Sequence, residues 1–498
     1  MLLTFRRLRA VLLASASVSL VGAVLPAPVP LGIGDPLFPH LGNPGYDVLS
    51  YDIGLTYSGD HSKPLDAVTR IEARATAPLE RINLDFAHGT VKSVDVNGTG
   101  AEFAVTGEDL VVTPEQAVQE GSRTVVTVRH TSNPGGDASD GGWVRTGDGL
   151  AMANQADAAH RVFPCNDHPS DKAFFTFRVT APKGQTVVAN GLPSAVPRQI
   201  KALKGAKSPG PAKDAVSWTY RTSHPMATEL AQVSIGRSAV LHRTGPHGLP
   251  VRDVVPAADV KQLEPWLKKT PAHLEWMEER VGRYPFETYG VLVAAANTGF
   301  ELETQTLSLF ERSLFTGVGY PEWYVDSIMV HELAHHWFGN SVSPRSWSDL
   351  WLNEGHATWY EALYAQKQRP LEERMKAAYS SSDEWRREGG APAAPKPSRP
   401  GQKISIFRPV VYDGSALVLY ALRQEIGEAA FDRVERRWVS EHRDSVATTA
   451  DFVELASDSA GRDLSGFLQK WLYGQKTPPM PGHSDWKSSV PQGPASHR

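Results

Sequence analysis

Cysteine is almost absent from this chain: Cys165 is the one thiol in 498 residues. An internal disulfide, an all-cysteine zinc site and an iron–sulfur cluster each need more than one, so all are excluded and stability must come from packing. An excess of charge of one sign is lacking too. Lys plus Arg total 51 against 55 Asp plus Glu, a net charge of -4, which gives no electrostatic reason to expect nucleic acid or an anionic membrane as partner. Long hydrophobic runs are missing beyond the N-terminus; no later segment reaches the ~20 apolar residues that span a bilayer. No internal repeat is visible. With 41% hydrophobic and 21% charged residues, collagenous and disordered classes fall away. What remains is a globular chain too long for one core, so two or three units of ~100–150 residues are expected.

The N-terminus reads as an export signal. Arg6, Arg7 and Arg9 form a positive start, and Ala10–Leu25 is apolar and rich in small residues. Cleavage regions are placed at Ala14-Ser15-Ala16 and at Leu25-Pro26-Ala27. Residues 1–28 are therefore expected to be a signal peptide, and the protein secreted or extracytoplasmic, with no stable membrane insertion after signal removal. An uncleaved anchor is the alternative. No Cys follows the apolar run, so a lipoprotein anchor is excluded.

From about Gly45 to Val240 apolar and polar residues alternate, as in Tyr46–Tyr57, Arg81–Phe86, Ser122–Arg129 and Ala173–Thr180. Gly, Pro and Asn clusters separate these runs, the pattern of an all-β unit. Ala202–Ala215, rich in Lys, Gly and Pro, reads as an exposed loop. The period then changes to helical over Asp259–Val281, with Pro265 and Pro271 as starts or kinks. After a short strand at Tyr289–Ala296, helices are expected at Trp323–Phe338, Leu350–Gln366, Leu371–Arg387, Gly414–Ile426, Ala429–Glu441 and Thr449–Asp458. The expected fold class is α+β multidomain: an N-terminal β domain at 29–242, a mostly helical domain at 243–478 and a disordered Pro/Ser/Gly-rich tail at 479–498.

One segment carries chemistry: His331-Glu332-Leu333-Ala334-His335. Histidines four apart lie on one face of a helix, one turn from each other, where both rings can reach one zinc ion. Glu332, beside the first ligand, is placed to take a proton from water. A catalytic zinc needs three protein ligands and an open position. Glu354, in Asn353-Glu354-Gly355 with eighteen residues between it and His335, is the expected third ligand, brought back by the next helix. Ile328, Leu333, Ala334 and Trp337 read as packing residues. So does His336, which is turned off the zinc face. Cys165 reads as a buried apolar residue. Asp349 is either an acceptor for a ligand histidine or a surface acid.

Together, His331–Asn340 and Trp351–Gly355 resemble the M1 family of zinc aminopeptidases, the gluzincins. The resemblance extends to Phe163-Pro164-Cys165 with Asp167, Pro169, Lys172 and Ala173, and to Tyr284-Pro285-Phe286, and so spans most of residues 45–475. It implies a saddle-like N-terminal β domain, a thermolysin-like catalytic domain and one Zn2+ per chain. The family's GxMEN strand corresponds to Gly299-Phe300-Glu301-Leu302-Glu303-Thr304. Here the glycine is shifted and Thr304 replaces the Asn. This implies substrate binding by Gly299 and Glu303, with Glu303 holding the free α-amino group and Glu301 as the competing candidate. A second amine-binding group falls at Gln155, eight residues before Phe163. The family's oxyanion-stabilising tyrosine falls at Tyr412, whose flank is altered at Gly414 and Ser415. The implied function is removal of N-terminal residues from peptides with a free N-terminus; separately, a monomer is expected. A zinc endopeptidase or other hydrolase on the same scaffold, and a non-catalytic peptide-binding relative, are the alternatives. Many family members carry a large further helical domain that covers the site; here Phe467–Leu472 reads as the end of the catalytic domain, so a more open cleft is expected.

Overall fold

The computed structural model describes residues 32–135, 141–200, 214–296, 298–397 and 406–488. The expected signal peptide at 1–28, residues 202–213 of the expected loop and residues 489–498 of the expected tail lie outside the described residues.

The N-terminal half is built on a nine-stranded sheet. At its centre Tyr46–Thr56 pairs antiparallel with Leu65–Ala75 and parallel with Phe174–Pro182. Arg123–Ser132 and Val91–Val96 extend one flank, and Ala215–Arg221 the other. Alternation in the sequence is what sets the two faces. In Leu65–Ala75 the residues Leu65, Ala67, Thr69, Ile71, Ala73 and Ala75 are buried and those between them are not. Smaller sheets stack on this core. Ile82–Asp85, Asp109–Thr113 and Glu102–Thr106 form one. Leu150–Ala153 lies in another, beside Val233–Gly236 and Gly142–Arg145. Cys165 is fully buried opposite Asp85.

A mixed four-stranded sheet follows, in the order Ser238–Thr244, Pro250–Pro256, Val291–Ala294, Ser308–Glu311. Its first strand runs through residues 242 and 243, where the division between domains is expected, so β structure continues past that point. Helices then dominate: Val260–Leu267, Thr270–Val281, Glu322–Ala334, Trp351–Ala365, Leu371–Gly389, Asp413–Ile426, Glu428–Glu441, Thr449–Ala460 and Ser465–Tyr473. Pro271 sits in the first turn of the second of these, and the helical run from 259 to 281 is two helices. Among the described residues no helix is long and apolar enough to cross a membrane.

The segment at 479–488 differs from the expected disordered tail. Met480 and Trp486 are buried, and Trp486 stacks on Tyr420 with ring centroids 5.8 Å apart. One large aromatic with a docking site overrides the Pro/Ser-rich composition around it.

Two ties hold the halves together near the cleft. Lys172 reaches across and donates to the carbonyls of Asn340 and Ser341, each at 2.8 Å. Near the described N-terminal end, Leu37, Phe38 and Leu41 pack with Trp347, Val410 and Val411, just before Tyr412.

Candidate active site

Helix Glu322–Ala334 begins after Pro321 and buries Val325, Met329, Val330 and Leu333 in the core of the C-terminal half. That packing turns His331 towards the cleft, and His335 follows one turn later at the C-cap. Their ring centroids lie 4.9 Å apart. Glu354 comes from the first turn of helix Trp351–Ala365. Its Oε2 lies 3.4 Å from Nε2 of His331 and 3.4 Å from Nε2 of His335.

All three side chains are buried, and Glu354 Oε2 has no hydrogen-bond partner. Burial opposes charge on each of them, yet the two imidazoles hold the Glu354 carboxyl down at about 2, while Glu303 and Glu354 hold His335 up at about 9. A buried site that recruits positive charge around an unpartnered carboxylate oxygen, with two imidazole nitrogens aimed at the same point, fits a cation. Two His and one Glu with room for a fourth ligand is a donor set compatible with one zinc ion. Glu303, Glu332 and His335 form a second cluster of the same reach. There, however, Glu303 Oε1 already accepts from Gln155 Nε2 at 2.6 Å, and His335 Nδ1 faces the Phe338 carbonyl at 3.3 Å.

Glu332 is buried beside the set, with Oε2 unpartnered. Burial pushes its carboxyl well above the usual range, against the pull of His331 and His335. Tyr412 stands at the N-cap of helix Asp413–Ile426 and stacks on His331 at 6.1 Å between centroids. Burial, then the charges of Glu354, Glu303 and Glu332, push its phenol well up, so it stays a hydrogen-bond donor. Gly355 makes this approach possible: a Cβ there would lie 2.6 Å from Ser415 Cβ, in the helix that Tyr412 caps. Glu303 is buried on the far side of His335, with its Oε1 3.9 Å from Nδ1. Asn340, in the turn after helix Glu322–Ala334, fixes that segment by donating to the Glu303 carbonyl at 2.7 Å.

Two family descriptions match in chain order. The Peptidase M1 N-terminal domain matches residues 146–203 and the Peptidase family M1 domain residues 266–471. The chain belongs to peptidase family M1. The crystal structure of an M1 zinc metallopeptidase from Deinococcus radiodurans is similar at 27% identity and a TM-score of 0.74, covering 90% of this chain and 98% of that one. Mutant forms of that two-domain enzyme have been solved bound to L-arginine, to L-tryptophan and to a Tyr-Ser-Ala substrate. Glutamyl aminopeptidase of Mus musculus is 23% identical over 327 residues, covering 63% of this chain and 33% of that protein. Aminopeptidase N of Streptomyces lividans is 24% identical over 350 residues, covering 63% and 36%. The M1 chain thus spans about a third of the length of these curated relatives.

Within this M1 site, one expectation resolves differently. Asp349 touches neither ligand histidine; its Oδ1 accepts from the amide and hydroxyl of Thr449, at 3.0 and 2.6 Å. The acceptor behind His331 is Glu361, with Oε2 3.1 Å from Nδ1. Glu361 stands seven residues after Glu354, two turns along the same helix face, which is the signal that finds it in the sequence. Arg374 holds Glu361 at 2.8 Å and reaches Asp413, next to Tyr412, at 3.4 Å. Gly299, expected to bind substrate, has a left-handed φ of 79° and gives its amide to Glu311 Oε2 at 2.6 Å. His336 is fully buried between the Tyr284 and Ser308 hydroxyls, at 2.7 and 3.1 Å, so it packs and does not ligate.

Proposed function

We propose that the chain is a zinc-dependent aminopeptidase that hydrolyses the first peptide bond of peptides with a free N-terminus. The observation that carries this reading is the Gln155–Glu303 pair at 2.6 Å, a buried carboxylate beside the metal-ligand set. An exopeptidase must recognise –NH3+, and a desolvated carboxylate next to an amide oxygen does so by charge-assisted hydrogen bonds. The Deinococcus structures with bound amino acids and a peptide support the same substrate class.

His331, His335 and Glu354 would hold the zinc, which supplies Lewis acidity towards the scissile carbonyl and lowers the pKa of water there. Glu303 and Gln155 bind the ammonium and thereby fix cleavage after the first residue. Glu332 takes the proton of the attacking water and returns it to the departing nitrogen. The Tyr412 hydroxyl donates to the oxygen that gains charge in the tetrahedral state. His331 is kept in its ligating tautomer by Nδ1–H donation to Glu361.

All these groups come from one chain, and we extend the proposal to a monomer acting on peptides, with no nucleic-acid partner. Export through residues 1–28 is proposed from their sequence alone, tested by the N-terminal residue of the protein recovered outside the cytoplasm. The amine anchor is tested by Glu303→Ala, which should raise KM for free-amine substrates. Equal cleavage of N-blocked peptides by the wild type would favour an endopeptidase instead.

A further inference from the structure

Glu303 lies outside any strand ladder. Leu302 bridges to Leu309, and then the chain turns: the Thr304 amide donates to the Leu302 carbonyl at 2.9 Å, and the Gln305 amide to the Leu230 carbonyl at 3.2 Å. Within that turn the Glu303 carbonyl accepts from Asn340 Nδ2 at 2.7 Å. A buried peptide group away from regular structure is placed by its hydrogen-bond partner. Asn340 therefore governs where the Glu303 carboxylate stands, and with it the 2.6 Å contact to Gln155.

Asn340, fully buried, is itself gripped from two sides. On one side the turn winds back on the end of the ligand helix: the Asn340 amide donates to the His335 carbonyl at 3.0 Å and the Ser341 amide to the His336 carbonyl at 3.1 Å. On the other, the carbonyls of Asn340 and Ser341 each accept from Lys172 Nζ at 2.8 Å, and the Ser445 carbonyl lies 3.5 Å from the same nitrogen. The Ser343 hydroxyl adds a longer contact to the Asn340 carbonyl, at 3.3 Å. An ammonium has three donors. Here all three meet main-chain carbonyls, so Lys172 clamps backbone rather than balancing an acid. It comes from the N-terminal half, two residues before strand Phe174–Pro182. That half thus reaches both members of the amine-binding pair: it supplies Gln155 directly, and it holds Glu303 through Lys172 and Asn340.

We infer that Lys172 is a positioning residue for recognition of the substrate's α-amine, acting through Asn340 on the Glu303 carboxylate without touching the substrate. This rests on the aminopeptidase reading above. The test is inhibition of zinc-loaded full-length enzyme, acting on a leucine anilide, by leucinol and by its desamino analogue isohexanol. Its readout is the ratio of the two inhibition constants within each enzyme, so a general loss of activity or of metal cancels. In the wild type leucinol should bind tighter by roughly ten- to a hundredfold, the worth of a hydrogen bond to a charged group. Lys172→Met, of similar length but without donors, should lower that ratio at least about fivefold. Asn340→Ala removes the donor to Glu303 and keeps the carbonyl that Lys172 holds; it should lower the ratio by a similar factor. The double variant should fall no further than either single one, because the two residues act in series. Should Lys172→Met fail to fold, Lys172→Gln, with one NH2 group, takes its place with the same expected direction. A wild-type ratio in the Lys172 variant or in Asn340→Ala, or losses that add in the double variant, overturns the proposal while the aminopeptidase reading stands. A wild-type enzyme that leaves the free-amine anilide intact, or binds both inhibitors equally, overturns both.

Discussion

Replacing Glu361 by Gln should loosen the metal although Glu361 is not a ligand. Two partners share its carboxylate: Oε2 faces His331 Nδ1 at 3.1 Å, and Oε1 accepts from Arg374 at 2.8 Å. A carboxylate can accept on both oxygens, whereas an amide has one acceptor and one donor. If the Gln oxygen stays on Arg374, its NH2 faces Nδ1. The ring proton then moves to Nε2, the atom aimed at Glu354 and needed for the metal. If the oxygen turns to His331, the partly buried Arg374 faces a donor and keeps only its longer contact to Asp413, at 3.4 Å. Neither arrangement restores the native one, so the loss should lie in the upper part of the ~10–100-fold range for groups behind metal ligands, about 2–3 kcal/mol. Competition with a chelator of known affinity measures it on the purified protein. A zinc affinity within about threefold of wild type would mean that Glu361 packs against His331 without orienting it.

Three further outcomes follow from the same structure. Tyr412→Phe should lower kcat by ~10²–10³-fold with little change in KM, because the hydroxyl acts only as charge develops; steady-state kinetics on one peptide decides this. Trp486→Ala should cost ~3–5 kcal/mol by leaving a cavity beside Tyr420 and His483, read by urea denaturation. Burial pushes Glu229 up to about 8, with Asp167 and Glu303 adding to it, far above an unfolded value of ~4.3. The folded chain therefore binds more protons between those values, and stability falls as pH rises from ~4.3 through 8. Glu229→Gln should flatten that fall, and an unchanged pH profile of stability would count against it.

The metal ligands were the most legible part of the sequence, because helical periodicity alone puts His331 and His335 on one face. Strand alternation likewise marked the core of the large sheet, with observed ends within a few residues of expectation, as at Phe174–Pro182. Glu303, Gln155 and Tyr412 are far apart in the chain, and no local period links them; only the resemblance to a family brought them together. Glu361 was readable in principle from its i+7 spacing, but Asp349 offered an acid nearer in sequence. Which of the two faced His331 depends on helix phase, and phase is set by packing of Trp351, Trp359 and Ala362 in the core. The segment at 479–488 was misleading because composition averages away one anchoring tryptophan.

The central claim is that a free amine, the metal set and Glu332 act together. Amino-acid anilides and their N-acetylated counterparts, compared with and without a zinc chelator and with Glu332→Gln, test it most directly. The account predicts cleavage of the free-amine set alone, lost on chelation, and lost in Glu332→Gln even though that variant still binds zinc. Cleavage of the acetylated set, or turnover retained by Glu332→Gln, would contradict it.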